Sequence, residues 1–124
     1  MPNRTRTDPR TPAERAAIAE GRRRAWRVAK TLDASIAELA ARLFLYERGI
    51  KNDLEAGACA ALFQRAAQAP DLDPGRVRSL QMYAAALLAG RRIARKTYSF
   101  APDGGDDGGE GIIPALLVRI AACI

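Results

Sequence analysis

The chain has 124 residues, of which 48% are hydrophobic and 27% charged. That balance is globular rather than disordered, and the length is enough for one domain with its own core. It carries a net charge of +6, a pI of about 10.0 and no histidine, which removes the commonest general base, the usual catalytic triads and most zinc sites. The charge is uneven: residues 1–30 hold nine Lys/Arg against three acids, a surplus equal to that of the whole chain. A surplus confined to one end points to a partner for that end.

Residues 1–10 carry Arg4, Arg6 and Arg10 with two prolines and no periodicity. They read as a flexible basic arm, either a phosphate-contacting segment or a solvated tail. Thr11-Pro12-Ala13-Glu14 is a helix start with the elements of a capping box. From there a four-three spacing of apolar residues runs through Ile18, Ala25, Ala29, Leu32, Ile36, Leu39, Leu43, Tyr46 and Ile50, broken only by Arg22. Such spacing predicts one long amphipathic helix over residues 11–50 with a heptad seam. Leu32-Asp33-Ala34-Ser35 leaves a second reading open, a break with Asp33 capping a new helix. Gly21 is a tolerable interior cost of about 1 kcal/mol, and Gly49 is a natural end. The seam serves either a homodimer or the chain's own bundle.

Arg23, Arg27 and Lys30 recur at i, i+4, i+7 on the face opposite the seam, with Arg15 and Arg24 to either side. They are candidate phosphate contacts. The competing reading is a solvated face, since Glu20 lies within i+3 and i+4 reach of Arg23 and Arg24. Trp26 falls beside the seam on the Arg22 side and reads as a packing anchor rather than a base-stacking residue.

A helix is expected from Asp53 to Ala69, capped by Asn52 or Asp53 and folded back antiparallel on the preceding one. Pro70-Asp71-Leu72-Asp73-Pro74-Gly75 is a turn, after which Asp73 caps and Pro74 starts another helix ending in Arg91-Arg92-Ile93-Ala94-Arg95-Lys96. Those terminal cations suit the helix dipole or make a second basic patch. Residues 101–111 are expected to be an acidic Gly/Asp linker. Asp103, Asp106, Asp107 and Glu110 lack the ligand spacing of a calcium loop, and the linker could instead shield the basic arm. Residues 112–124 form an apolar helix starting at Pro114, docked on the bundle or on a protein partner.

The two cysteines, Cys59 and Cys123, sit in alanine-rich apolar runs. That is the setting of buried thiols in a reducing compartment, not of a disulfide framework. No stretch has the makings of a signal peptide or reaches the ~20 apolar residues of a membrane span. The expectation is a cytoplasmic protein, and the abundance of Arg, Ala and Gly suggests a GC-rich bacterial, phage or mobile-element source. The placement of Leu, Arg and Lys between Leu32 and Lys51 resembles that of the helical chorismate mutases, in pattern only. With no phosphate-cradling loop and no metal-ligand spacing, the chain reads as a protein without enzymatic activity or cofactor.

The fold class expected is all-α: a bundle of about four helices over residues 11–100, organised around the N-terminal helix. Two functions fit. The first is a DNA-associated accessory or regulatory protein that contacts phosphates through Arg4, Arg6, Arg10, Arg15, Arg23, Arg24, Arg27 and Lys30 and dimerises through the seam. The second is a helical adaptor, antiactivator or chaperone that offers the seam and the C-terminal helix to a protein partner.

Overall fold

The structure is a computed structural model that describes residues 10–90 and 107–124, with side chains of the second segment from 114 onward. Among the described residues the chain is all-α. It comprises α1 (Pro12–Ala29), α2 (Ala34–Leu43), α3 (Asp53–Ala66), α4 (Pro74–Leu88) and α5 (Asp107–Cys123), with a π-helical turn at Phe44–Arg48 after α2. Arg4 and Arg6, the arginine-rich stretch at 91–96 and the first part of the acidic linker lie outside the described residues.

The expected single helix over 11–50 is two helices. α1 ends at Ala29, Lys30 and Thr31 close its last turn, and α2 begins after Asp33. Asp33 is in extended backbone, and its carboxylate accepts from the Ser35 N–H (3.2 Å) and the Ser35 hydroxyl (2.6 Å). An aspartate that can satisfy free helix-end donors competes with helix continuation. The apolar spacing persists through the break, so periodicity alone could not reveal it. The π-turn ends at Gly49, whose φ of 77° is in the region glycine tolerates best.

The other helix starts follow local chemistry. Thr11 and Glu14 form both bonds of a capping box: Glu14 N–H to Thr11 Oγ1 at 3.1 Å, Thr11 N–H to Glu14 Oε1 at 2.9 Å. Asn52 Oδ1 accepts from the Glu55 N–H (2.9 Å) and Asp73 Oδ2 from the Arg76 N–H (3.1 Å). α3 stops at Ala66, earlier than expected. α5 starts at Asp107, earlier than expected, so the expected linker gives way to helix from there and Pro114 falls inside the helix rather than at its start. Docking of Leu116 and Ile120, both buried, sets the tertiary term against the poor helix propensity of the glycines.

α3 is the centre of the bundle, with every residue from Glu55 to Phe63 buried. α1 lies alongside it and runs the same way: Gly21 is against Leu54, and the Leu32 carbonyl accepts from Arg65 Nε at 2.9 Å. α2 returns antiparallel, with the Cys59 thiol donating to the Ala41 carbonyl at 3.5 Å. α4 is antiparallel to α3 on another side, its Tyr83 ring 5.3 Å from that of Phe63. α5 packs on α1 and α2. The core is alanine with a few large anchors, chiefly Phe44, Phe63, Leu62, Leu80 and Ile120.

Candidate functional site

Five cations project from the second half of α1 and its C-cap: Arg22, Arg23, Arg24, Arg27 and Lys30 are all exposed. At 100° per residue, Arg23, Arg27 and Lys30 lie opposite the buried stripe of Gly21, Ala25 and Val28. Both Arg23 and Arg24 pair with Glu20, Arg24 through Nε at 2.6 Å. The hydrogen bond from Arg24 and the charges of both arginines hold the Glu20 carboxyl below its ordinary range, against a smaller opposing effect of burial. Arg24 also reaches the Cys123 carbonyl at 3.5 Å, at the end of α5. Arg22, Arg27 and Lys30 have no acidic partner among the described residues.

Arg10 does not extend into solvent as an arm residue. It is half-buried, donates to the Leu88 carbonyl, and packs against Gly90 at the end of α4. A cation there satisfies a terminal carbonyl and complements the dipole. Arg15 is exposed and donates to the Arg10 carbonyl at 2.9 Å. The N-terminal cations thus divide: Arg10 caps a helix, Arg24 bridges to α5, and Arg22, Arg27 and Lys30 face outward.

Beside this face, a groove of about 570 Å³ opens between α1, α3 and α4. Arg22, Arg23 and Trp26 form its α1 wall, Gln64 comes from α3 and Gln68 from the turn that follows it. Gln81, Ala84, Ala85 and Leu88 supply the α4 side. Trp26 is half-buried here, so its ring packs on the bundle and still lines the opening. The glutamines were not singled out from sequence, although Gln64 and Gln68 are one turn apart and Gln81 and Ala85 share a face of α4. Their spacing was the available signal. Arg78, one turn before Gln81 on α4, is exposed.

The seam residues separate into two groups. Ile18, Ala25, Ala29 and Leu32 are buried within the chain's own bundle. Ile36, Leu39, Leu43 and Ile50 are partly buried, and Tyr46 is 39% exposed. No group of three or more His, Cys, Asp or Glu side chains suited to a metal ion occurs among the described residues. No helix among them is long and apolar enough to cross a membrane.

Comparisons with protein-family models, with curated proteins and with solved structures find no match for this chain.

Proposed function

We propose that this is a non-enzymatic nucleic-acid-associated protein of the accessory or regulatory kind, which contacts phosphates through the outer face of α1. The observation that carries the reading is the set Arg22, Arg27 and Lys30, exposed along one helix and without acidic partners among the described residues. From Arg15 to Lys30 the basic side of α1 covers roughly 22 Å at 1.5 Å per residue, long enough to follow several phosphates. Arg4 and Arg6 would add contacts from the N-terminal arm. A homodimer in this reading uses the accessible part of the seam, Ile36, Leu39, Leu43, Tyr46 and Ile50, because the rest is spent on intrachain packing.

The adaptor reading has less support, since Leu116 and Ile120 of the C-terminal helix are buried on α1 and α2 of the same chain. The test is fluorescence anisotropy with a labelled random-sequence DNA duplex at low and near-physiological salt. The reading requires micromolar or tighter binding that falls steeply with salt. Absence of binding at low salt would overturn it and leave the basic face as a solvated surface.

A further inference from the structure

We infer that the groove between α1, α3 and α4 is a binding site for a nucleotide unit, its base inside the groove and its phosphate on the arginine rim. The inference rests on the nucleic-acid reading above and adds a site for an unpaired base beside the phosphate-contacting face.

Three features carry it. The groove volume of about 570 Å³ lies within the ~300–1,000 Å³ typical of small-molecule sites. Its lining joins the half-buried indole of Trp26 and the alanine side chains 84 and 85 to the amides of Gln64, Gln68 and Gln81. A planar heteroaromatic base has faces that stack on an indole and edges that present both donors and acceptors. Glutamine amides supply both kinds of partner, whereas a purely aliphatic ligand would make no use of them. Gln68 Oε1 already accepts from Arg65 Nη1 at 3.3 Å, which orients that amide and leaves its N–H groups as donors.

The third feature is charge. Arg22 and Arg23 stand at the groove edge, Arg22 without an acidic partner among the described residues. Arg15 lies two turns before Arg22 on the same side of α1, and Lys30 is exposed one turn after Trp26 at the end of the helix. An anion attached to the base therefore meets cations at the mouth, and a strand leaving the groove continues along the basic face of α1. Paired bases in a duplex cannot enter, because their edges and faces are already occupied.

Trp26 is the one tryptophan of the chain, so its intrinsic emission reports on this groove alone. The experiment titrates the full chain at low salt with a ten-residue oligothymidylate, a mononucleotide, a random-sequence duplex and inorganic phosphate, reading Trp26 emission and, for labelled strands, anisotropy. The expected result is quenching by the single strand and weaker quenching by the mononucleotide, with none from phosphate. Quenching by the mononucleotide at equal affinity would assign the site to free nucleotides rather than strands and still support it. Gln81→Ala, an exposed position that does not threaten the fold, should weaken single-strand binding roughly fivefold and leave duplex anisotropy unchanged. Single-strand binding without any Trp26 response, or a Gln81→Ala variant of unaltered single-strand affinity, would overturn the groove site while the phosphate-contact reading survives. Loss of all binding would overturn both.

Discussion

Gly21 of α1 and Gly57 of α3 are reciprocal: each faces the backbone of the other's helix one turn before its partner glycine. A Cβ on Gly57 would stand 2.7 Å from the Arg22 nitrogen and closer to the Ile18 carbonyl oxygen. A Cβ on Gly21 would stand 2.8 Å from the Leu54 carbonyl carbon and closer to its oxygen. Backbone cannot swing aside as a side-chain tip can. Either glycine-to-alanine change should therefore destabilise the fold by about 3 kcal/mol through overpacking, despite a gain of about 1 kcal/mol in helix propensity. Thermal unfolding followed by circular dichroism should show a midpoint lower by roughly 10 °C or more. The double variant should lose less than the sum, because either methyl alone already separates the helices. A neutral single variant would mean the helices are not this close.

Glu38 ties α2 to α4. Its carboxylate accepts from Arg42 Nη2 at 2.7 Å within α2 and from Arg76 across the gap. Burial pushes its pKa up, but hydrogen bonds and charge from Arg76 and Arg42 outweigh that and hold it below its ordinary value of 4.5. A carboxyl depressed in the folded state contributes stability that is present above its unfolded value and lost as pH falls through the folded one. Chemical denaturation between pH 7 and 3 should show that loss beginning near pH 4.5 and continuing below it. Glu38→Gln should lower stability by about 1–2 kcal/mol at pH 7 and flatten the acid limb. An unchanged acid limb would show that other carboxylates carry it.

What could be read from sequence was what is decided within one helical turn. Thr11 with Glu14, Asn52, and Asp73 with Pro74 mark helix starts because cap and donor are three residues apart. The pairing of Glu20 with Arg23 and Arg24 was legible for the same reason. The break at Asp33 was an open alternative, because the apolar spacing continues through it and only the competition between a cap and a helical N–H settles the matter. Long-range relationships were not legible. Gly21 read as an interior cost, and its reason lies in Leu54, on another helix. Arg10 read as part of a basic arm and a candidate phosphate contact, and its partner is the Leu88 carbonyl. The groove was invisible because its three walls come from helices far apart in the chain.

The corner between the π-turn and α3 depends on Glu55, which is only 7% exposed. Its carboxylate accepts from Arg48 Nη2 and from the Lys51 backbone N–H, both at 2.9 Å, while Arg48 lies 5.3 Å over the Phe44 ring. Removing the acid leaves a guanidinium and an amide to find other partners. Glu55→Ala should cost about 2–3 kcal/mol, with Arg48→Ala costing less because that side chain is 36% exposed. A double-mutant cycle measured by denaturant unfolding should return a coupling of about 1 kcal/mol or more; additive effects would show that the pair contributes little.

Cys59 is fully buried beside the Ala41 carbonyl, and burial pushes its thiol far up from the ordinary range. The thiolate is the reactive species, so Cys59 should resist a thiol reagent at pH 8 in the native protein. Cys123, near the end of α5 and only partly buried, should react first. The expected trace is one fast thiol and a second that appears only with denaturant. Two fast thiols would show that α2 opens from α3 readily.

The division of labour among the α1 cations predicts unequal effects on binding. Arg27 and Lys30 are exposed and have no acidic partner among the described residues, so Arg27→Ala and Lys30→Ala should leave stability within about 0.5 kcal/mol of the parent. If each touches a phosphate, each should lower the slope of log K against log salt by about 1. Arg24 is committed to Glu20 and to the Cys123 carbonyl. Its replacement by alanine should change the slope less and the docking of α5 more, read as faster reaction of Cys123 with the thiol reagent. Equal slopes for all three variants would show that the phosphates do not follow this face of α1.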